Sequence, residues 1–479
     1  MDEEDVRLTG SSKLRTDNWN SNPPQNLKAP ITLALDIGTS SVRAALYDGD
    51  ANVLPRTSVK IERSLTSTAD GGAEIDADLA FEQVVEAIDA VLEKTENLKG
   101  EIESVASCSF WHSLVGIDAK GKPTTKVLSW ADRRSREYSG VLKEKFDEAA
   151  IHDRTGAHFH SSFWPAKLLW FRRENAAIFE KTSMWLSLSD YIALKLLGTP
   201  VTSISMASGT GIFDQRKCGW DKELLRYLKV KESALPEIAS DGATFKLGSK
   251  FAKRWPRLKN GAWFPAIADG AADNIGSGCV TKDRAALMVG TSAAMRIIYQ
   301  GEPPKRIPDG LWCYRVDRKR VIVGGALSDG GNLYALMRKR FKLSGNADRL
   351  VAEREGADGL VVIPFFHGER STGYDEDARG AIIGMTAEHD GVDVLRAAME
   401  GVAFRLADIF ERLSTLADIS EIVASGGALR DSPVWTQIIA DVLGRDLTLN
   451  DASESSSRGA VLLALESLGK IESIERSQT

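Results

Sequence analysis

The sequence predicts an α/β fold of two related domains that face each other across a cleft. First, 479 residues exceed what one hydrophobic core usually organises. Second, strand-like apolar runs alternate with amphipathic helical stretches in both halves, the pattern of packed sheets and helices. Third, the tripeptide Gly-Thr-Ser occurs twice, each time between two strand-like runs. One copy is ITLALDIGTSSVRAALYD, with Gly38, Thr39 and Ser40; the other is RAALMVGTSAAMRIIYQ, with Gly290, Thr291 and Ser292. A glycine turn with adjacent amides and hydroxyls forms a nest for anionic oxygens. A matched pair, one in each half, predicts a duplicated fold that grips a polyphosphate from both sides.

The elements follow in order. Residues 1–30 are polar, acidic at the start and carry Asn22-Pro23-Pro24, the composition of a disordered tail without the apolar stretch of a secretory leader. Strands are expected over 31–37, 42–47 and 53–61. An amphipathic helix follows over 78–94, with Leu79, Val84, Val85, Ile88 and Val91 on one face. Further strands are expected at 104–110, 113–117 and 125–128, and residues 137–197 read as mostly helical. The second half repeats the theme, with strands over 285–298 and 321–323 and a helix over 392–416. A strand at 421–424 then enters Ser425-Gly426-Gly427, and Ser432-Pro433 opens a helix over 434–443. A boundary at 281/282 gives a first domain over 31–281 and a second over 282–479.

Hydrophobic residues at 43% and charged residues at 27% describe an ordinary globular protein. A formal net charge of -6 argues against a nucleic-acid binder, which carries a basic face. No apolar run approaches the ~20 residues that span a bilayer. Cys108, Cys218, Cys279 and Cys313 lack the paired spacing of a zinc or redox motif and read as reduced thiols. A cytoplasmic protein without membrane or nucleic-acid partners is expected.

Gly116-Ile-Asp-Ala-Lys-Gly121-Lys122-Pro123 comes close to a Walker A motif. A P-loop requires Ser or Thr after the lysine and a helix starting there. Pro123 supplies neither, and the segment reads as strand, turn, strand. Asp36 interrupts an apolar strand end just before the first Gly-Thr-Ser turn. A carboxylate there needs a partner: a magnesium ion held through water beside polyphosphate oxygens satisfies it, and so does capping of its own turn. Gly426 and Gly427 would let a loop pass close to a planar base or its ribose.

Assembled, these residues resemble the FGGY family of carbohydrate kinases, in the superfamily of sugar kinases, Hsp70 and actin. The most specific stretch is ARGAIIGMTAEHDGVDVLRAAMEG, where Gly380, Ile382, Gly384 and Met385 precede Asp393, Val394, Ala397, Ala398, Met399 and Glu400 at the family's spacing. The resemblance implies two ribonuclease H-like (actin-like ATPase) domains with an interdomain cleft, and phosphoryl transfer from ATP, with Mg²⁺, to a small carbohydrate. It leaves room for a homodimer. It assigns ATP to Gly38, Thr39, Ser40, Arg43, Gly290, Thr291, Ser292, Gly426, Gly427 and Ala428, and the metal to Asp36. On the sugar side it matches Phe110-Trp111-His112-Ser113 and the Trp130, Asp132, Arg134 element.

The family's catalytic base is an Asp in a Gly-rich segment, here AIADGAADNIGSG, and two registers compete. Asp273-Asn274 mimics the usual dipeptide. Asp269-Gly270 follows the apolar strand directly and is similar to the gluconate kinase branch, which makes Asp269 the expected base. HFHSSFWPAKLLWFRRE resembles a run of that same branch and brings in His160 and Lys167. The implied substrate is D-gluconate, its carboxylate met by Lys167, Arg134 and His160. A ketopentose such as xylulose or ribulose is the alternative. A non-kinase ATP-binding regulator of the superfamily is the alternative of another class.

Overall fold

The computed structural model describes residues 28–98, 101–343, 345–450 and 454–477. The expected tail lies mostly outside these residues. Its last three do not fit the expectation: the Gly49 amide donates to the Lys28 carbonyl at 2.7 Å and Pro30 is buried.

The first half builds a mixed sheet from β1 (Thr32–Ile37), β2 (Ser41–Tyr47) and β3 (Val59–Glu62). Helix α1 (Ala77–Lys94) follows, then β4 (Ser104–Ser109), helix α2 (Trp164–Glu174), β5 (Ala262–Trp263), β6 (Ile267–Ala268) and helix α3 (Asp269–Gly276). The strand order is β5-β4-β1-β2-β3, with β6 also paired to β4. Every residue of β1 is buried, because both faces of the sheet are covered. Helix α1 starts one residue earlier than expected, where the Asp76 carboxylate caps the Leu79 amide at 3.0 Å. Its buried stripe runs from Ala77 to Val91, and Leu79 points to solvent.

The second half repeats the topology with β7 (Arg284–Val289), β8 (Ala293–Gln300), β9 (Trp312–Arg315) and β10 (Arg320–Leu327). Helices α4 (Gly331–Arg340) and α5 (Gly391–Ser414) follow, then β11 (Glu421–Ser425), helix α6 (Pro433–Leu443), β12 (Leu447–Leu449) and helix α7 (Ser455–Ser467). The order is β9-β10-β8-β7-β11-β12. In each sheet the first hairpin strand pairs antiparallel with its successor and parallel with a later strand: β1 with β2 and β4, β7 with β8 and β11.

Chain order and packing part company at α7, which lies across α3 and against β1 and β4 of the first half. A Cβ on Gly459 would enter the Ala272 carbonyl, and one on Gly276 the Ser455 carbonyl. Two bare glycines therefore let the helix backbones touch. Arg458 adds a bond to the Gly276 carbonyl at 2.7 Å.

The segment 113–128 differs from the expected strand pair. Val115–Ile117 instead pairs with Met184–Leu186, and only isolated bridges join Leu114 to Leu128 and Ile117 to Pro123. Residues 118–122 form a turn in which the Asp118 carboxylate accepts the Lys120 and Lys122 amides. No helix follows, so the Walker-like string is not a P-loop.

Candidate active site

A cleft of about 740 Å³ opens between the halves, and residues of both Gly-Thr-Ser hairpins line it: Thr39 and Ser40 from one, Thr291 and Ser292 from the other. The turn amides of Gly38 and Gly290 each fold back onto a hairpin carbonyl at 2.9 Å, Ser41 and Ser292 respectively. The second turn is also gripped from behind. Gly331 donates to the Gly290 carbonyl at 2.8 Å and Asn332 to that of Thr291 at 3.0 Å. Gly426 has φ +102°, and a Cβ there would collide with the Val289 carbonyl. Gly426, Gly427 and Ala428 thus stand behind the second hairpin, at the start of a short helix over Gly427–Asp431.

Asp36 is buried at the end of β1. Its Oδ2 accepts Arg43 Nη1 at 3.0 Å, and its Oδ1 faces the Cys108 thiol at 3.6 Å. Burial raises its pKa and Arg43 opposes the rise. The partner this carboxylate requires is therefore Arg43, from its own hairpin. Among the described residues no group of three or more His, Cys, Asp or Glu could cage a metal ion. Asp36 lies near enough to Asp269 to raise its pKa. One or two carboxylates of this kind suit a hydrated magnesium ion that arrives on phosphate oxygens, not a resident one.

Asp269 follows β6 and opens α3, lining the cleft. Its Oδ1 accepts the Gly270 amide at 2.7 Å. Burial pushes its pKa up to about 7, aided by the like charge of Asp36 and opposed by Arg296. A carboxyl group poised near neutrality suits general-base work. Asp273, one turn later, accepts Arg296 Nη2 at 2.8 Å and Ser455 Oγ at 2.6 Å and does not line the cleft. Of the two competing registers, Asp269 alone faces the cavity. Gly270 serves by lacking a side chain, since a Cβ would sit 2.8 Å from the Trp111 ring and 2.7 Å from Arg296 Nη1.

Opposite lie Trp111, His112, Trp130 and His160. Trp111 Nε1 donates to the Ser205 carbonyl at 2.9 Å, and its ring meets Trp312 and Tyr314 edge-on. His112 Nδ1 bonds the Gly209 carbonyl at 2.5 Å. Burial drops its pKa to about 3, so the ring is neutral, with its proton on Nδ1 and an acceptor at Nε2. His160, also held down to about 4 by burial, accepts the Ser162 amide at Nδ1 and faces Glu376 with Nε2.

Three expected sugar contacts are corrected. Asp132 is fully buried and accepts the Ala73 amide at 3.0 Å and Arg134 Nη2 at 2.7 Å. Arg134 also bonds Glu74 at 2.8 Å and stacks on Trp170, in a separate groove. Lys167 is buried, its Nζ donating to the carbonyls of His112, Ser129 and Ser162 at 2.9, 2.7 and 2.8 Å. All three ammonium hydrogens are used, so Lys167 braces the wall and cannot meet a substrate carboxylate.

The sequence reading missed the residues that do face the cleft: Arg133, between the two braced residues, and Asn332, His367, Arg370, Tyr374 and Glu376. Arg370 lies over the Trp130 ring at 4.5 Å and donates to the Leu327 carbonyl at 2.8 Å, its buried Nε without a partner. The available signal was the dense run of glycines and charges in FFHGERSTGYDEDARG, a loop composition that carries function more often than packing.

Residues 31–255 match the N-terminal domain of the FGGY family of carbohydrate kinases, and residues 285–468 its C-terminal domain. Gluconokinase of Bacillus subtilis (strain 168) is 28% identical over 460 residues, covering 92% of this chain and 88% of that protein. The crystal structure of gluconate kinase from Lactobacillus acidophilus superposes with a TM-score of 0.85 at 28% identity, over 94% of this chain and 92% of that one. Ligand-bound xylulose kinase from the same organism gives the same TM-score and identity, over 93% and 91%. Among the described residues no helix is long and apolar enough to cross a membrane. With both halves matched, the chain belongs to the FGGY family of carbohydrate kinases and is an ATP-dependent phosphotransferase acting on a sugar.

Proposed function

We propose that the acceptor is a sugar acid, D-gluconate, converted to 6-phosphogluconate. The observation that carries this reading is the pair of guanidinium groups on the sugar side of the cleft. Arg133 and Arg370 donate to backbone carbonyls of Glu376 and Leu327, and among the described residues neither has an acidic side chain as its ion-pair partner. Both are only half-buried and face the cleft, and a substrate carboxylate there would give two guanidinium groups a charged, directional acceptor. The likeness to gluconokinase supports the same reading.

In the proposed reaction Asp269 accepts the proton of the attacking hydroxyl. That oxygen bonds to the γ-phosphorus, the bond to the bridging oxygen breaks, and ADP leaves. Thr39, Ser40, Thr291 and Ser292 would hold the phosphate oxygens, while His112 Nε2 accepts a sugar hydroxyl. Magnesium, held through water by Asp36, would neutralise charge on those oxygens. Binding of both substrates would displace from the cleft the water that could otherwise take the phosphoryl group.

A ketopentose is the second reading, favoured by the equally close fit of xylulose kinase. ADP release measured across gluconate, xylulose, ribulose, glycerol and erythritol decides between them. Gluconate should give the highest kcat/KM, and Arg133→Gln should erode that lead. A ketopentose ahead by tenfold, about 1.4 kcal/mol of transition-state discrimination, overturns the assignment.

A further inference from the structure

We infer that Arg296 is a positioning residue of the transfer site: a cation from the second half, aimed by Asp273 and Asn274 at the floor of the cleft, that sets how readily Asp269 takes a proton. The inference rests on Asp269 being the base. Arg296 lies on β8 and is buried. Its Nε donates to Asn274 Oδ1 at 3.0 Å and its Nη2 to Asp273 Oδ2 at 2.8 Å. Asn274 Nδ2 in turn bonds the Arg296 carbonyl at 3.2 Å, so α3 holds both the backbone and the side chain of this arginine. The remaining nitrogen, Nη1, lies against Gly270, where a Cβ would stand 2.7 Å away. Bare Gly270 therefore lets the guanidinium edge come up beside the reacting carboxylate.

The groups around Asp269 make this cation decisive. β1 presents Asp36, with Arg43 bonded to that carboxylate and Arg63 near it. β4 presents the Cys108 thiol, and α3 itself presents Asp273. Arg296 is a positive group acting on Asp269, and it opposes the effect of Asp36. The ion pair with Asp273 fixes the guanidinium but leaves Nη1 uncommitted. The second Asp273 oxygen is tied to Ser455, so the anchor itself cannot swing. An opposite charge close by favours the ionised form of a carboxyl group, which is the form a base requires.

The test is the pH profile of kcat/KM for the sugar in wild type, Arg296→Gln, Arg296→Lys and Asn274→Ala, with melting temperature and ATP affinity as controls. The wild-type acid limb should have its midpoint near 7. Arg296→Gln should move it upward by about one pH unit, losing roughly tenfold in kcat/KM at pH 6 and little at pH 9. Arg296→Lys, which keeps the charge, should recover most of the shift, and Asn274→Ala, which removes one anchor of the guanidinium without changing any charge, should give a smaller upward shift. A folded Arg296→Gln protein with an unmoved midpoint overturns the inference. If that variant does not fold, an unmoved midpoint in Asn274→Ala overturns it equally. Failure of the underlying reading looks different: Asp269→Asn would then retain both activity and the acid limb.

Discussion

The two Gly-Thr-Ser hairpins share a turn and differ in what holds it. In the first, Asp36 stands opposite Arg43 in the strand register, and the two side chains form an ion pair at 3.0 Å. The matching position two residues before the glycine in the second hairpin is Met288, opposite Ala294. Its arginine, Arg296, comes six residues after Gly290 where Arg43 comes five after Gly38. Successive strand side chains alternate in face. The second turn is one residue shorter, so Arg296 lies opposite Ala286, on the same face as Met288 but two pairs farther from the turn, and there it reaches Asp273 of the other half. The second hairpin has no local ion pair and is clamped by backbone, with Gly331 and Gly426 pressed against it. A duplicated turn can thus be stabilised by charge in one copy and by glycine contact in the other, which frees one arginine for the space between the halves.

The largest expected effect lies where both hairpins converge. Asp269→Asn should lower kcat by about 10²–10⁴-fold, the usual worth of a positioned base, and should also raise stability. The folded-state pKa of about 7 stands above the ordinary carboxyl value, so the folded protein binds the extra proton between about pH 4 and 7. Stability from this group is therefore lost as pH rises through that window, and the neutral amide removes the loss. Melting curves should show the variant gaining on wild type from pH 5 to pH 8; equal curves would mean that the carboxyl group is not under burial stress.

Next comes the clamp. Gly426→Ala combines a left-handed φ with a collision against the Val289 carbonyl and should cost about 1–3 kcal/mol. The KM for ATP should rise with it. Gly427→Ala, with nothing within 4 Å of its Cβ, should be close to neutral in stability. Similar melting points for the two would show that the second hairpin is not braced from behind. The smallest effect compares the charge-bearing and charge-free positions. Asp36→Ala should raise the KM for Mg·ATP about tenfold and shift its magnesium dependence, while Met288→Ala should change either by less than twofold. Equal responses in steady-state titrations would erase the distinction between the hairpins.

The placement of both Gly-Thr-Ser turns on one cleft was legible because glycine turns between strands are local features, and the place of Asp269 on the same cleft was legible because it follows its strand directly. The sugar wall was not, because there the outcome depends on which partner claims each side chain. Lys167 carries the right charge for a sugar acid, yet three carbonyls of neighbouring segments consume it. In Asp132-Arg133-Arg134, the first and third residues pair with each other, which leaves the middle one for the cleft. Glu376 reaches the wall from the second half, bonding Ser161 from 215 residues away in sequence. No spacing rule in one chain announces such a visitor.

The crossing of α7 over α3 has a consequence for biosynthesis. Ser455, which ties Asp273 in place, is 182 residues downstream of it. At roughly 5–20 residues per second, a ribosome needs about 10–40 s to cover that distance. Throughout that interval the nascent first half exposes the face of α3 that α7 will cover, including the bare backbone at Gly276. The packing of the helix that begins with Asp269 is thus completed in two instalments, and a ribosome stalled before residue 455 would leave behind a chain with its first Gly-Thr-Ser hairpin made and Asp273 without its Ser455 tie.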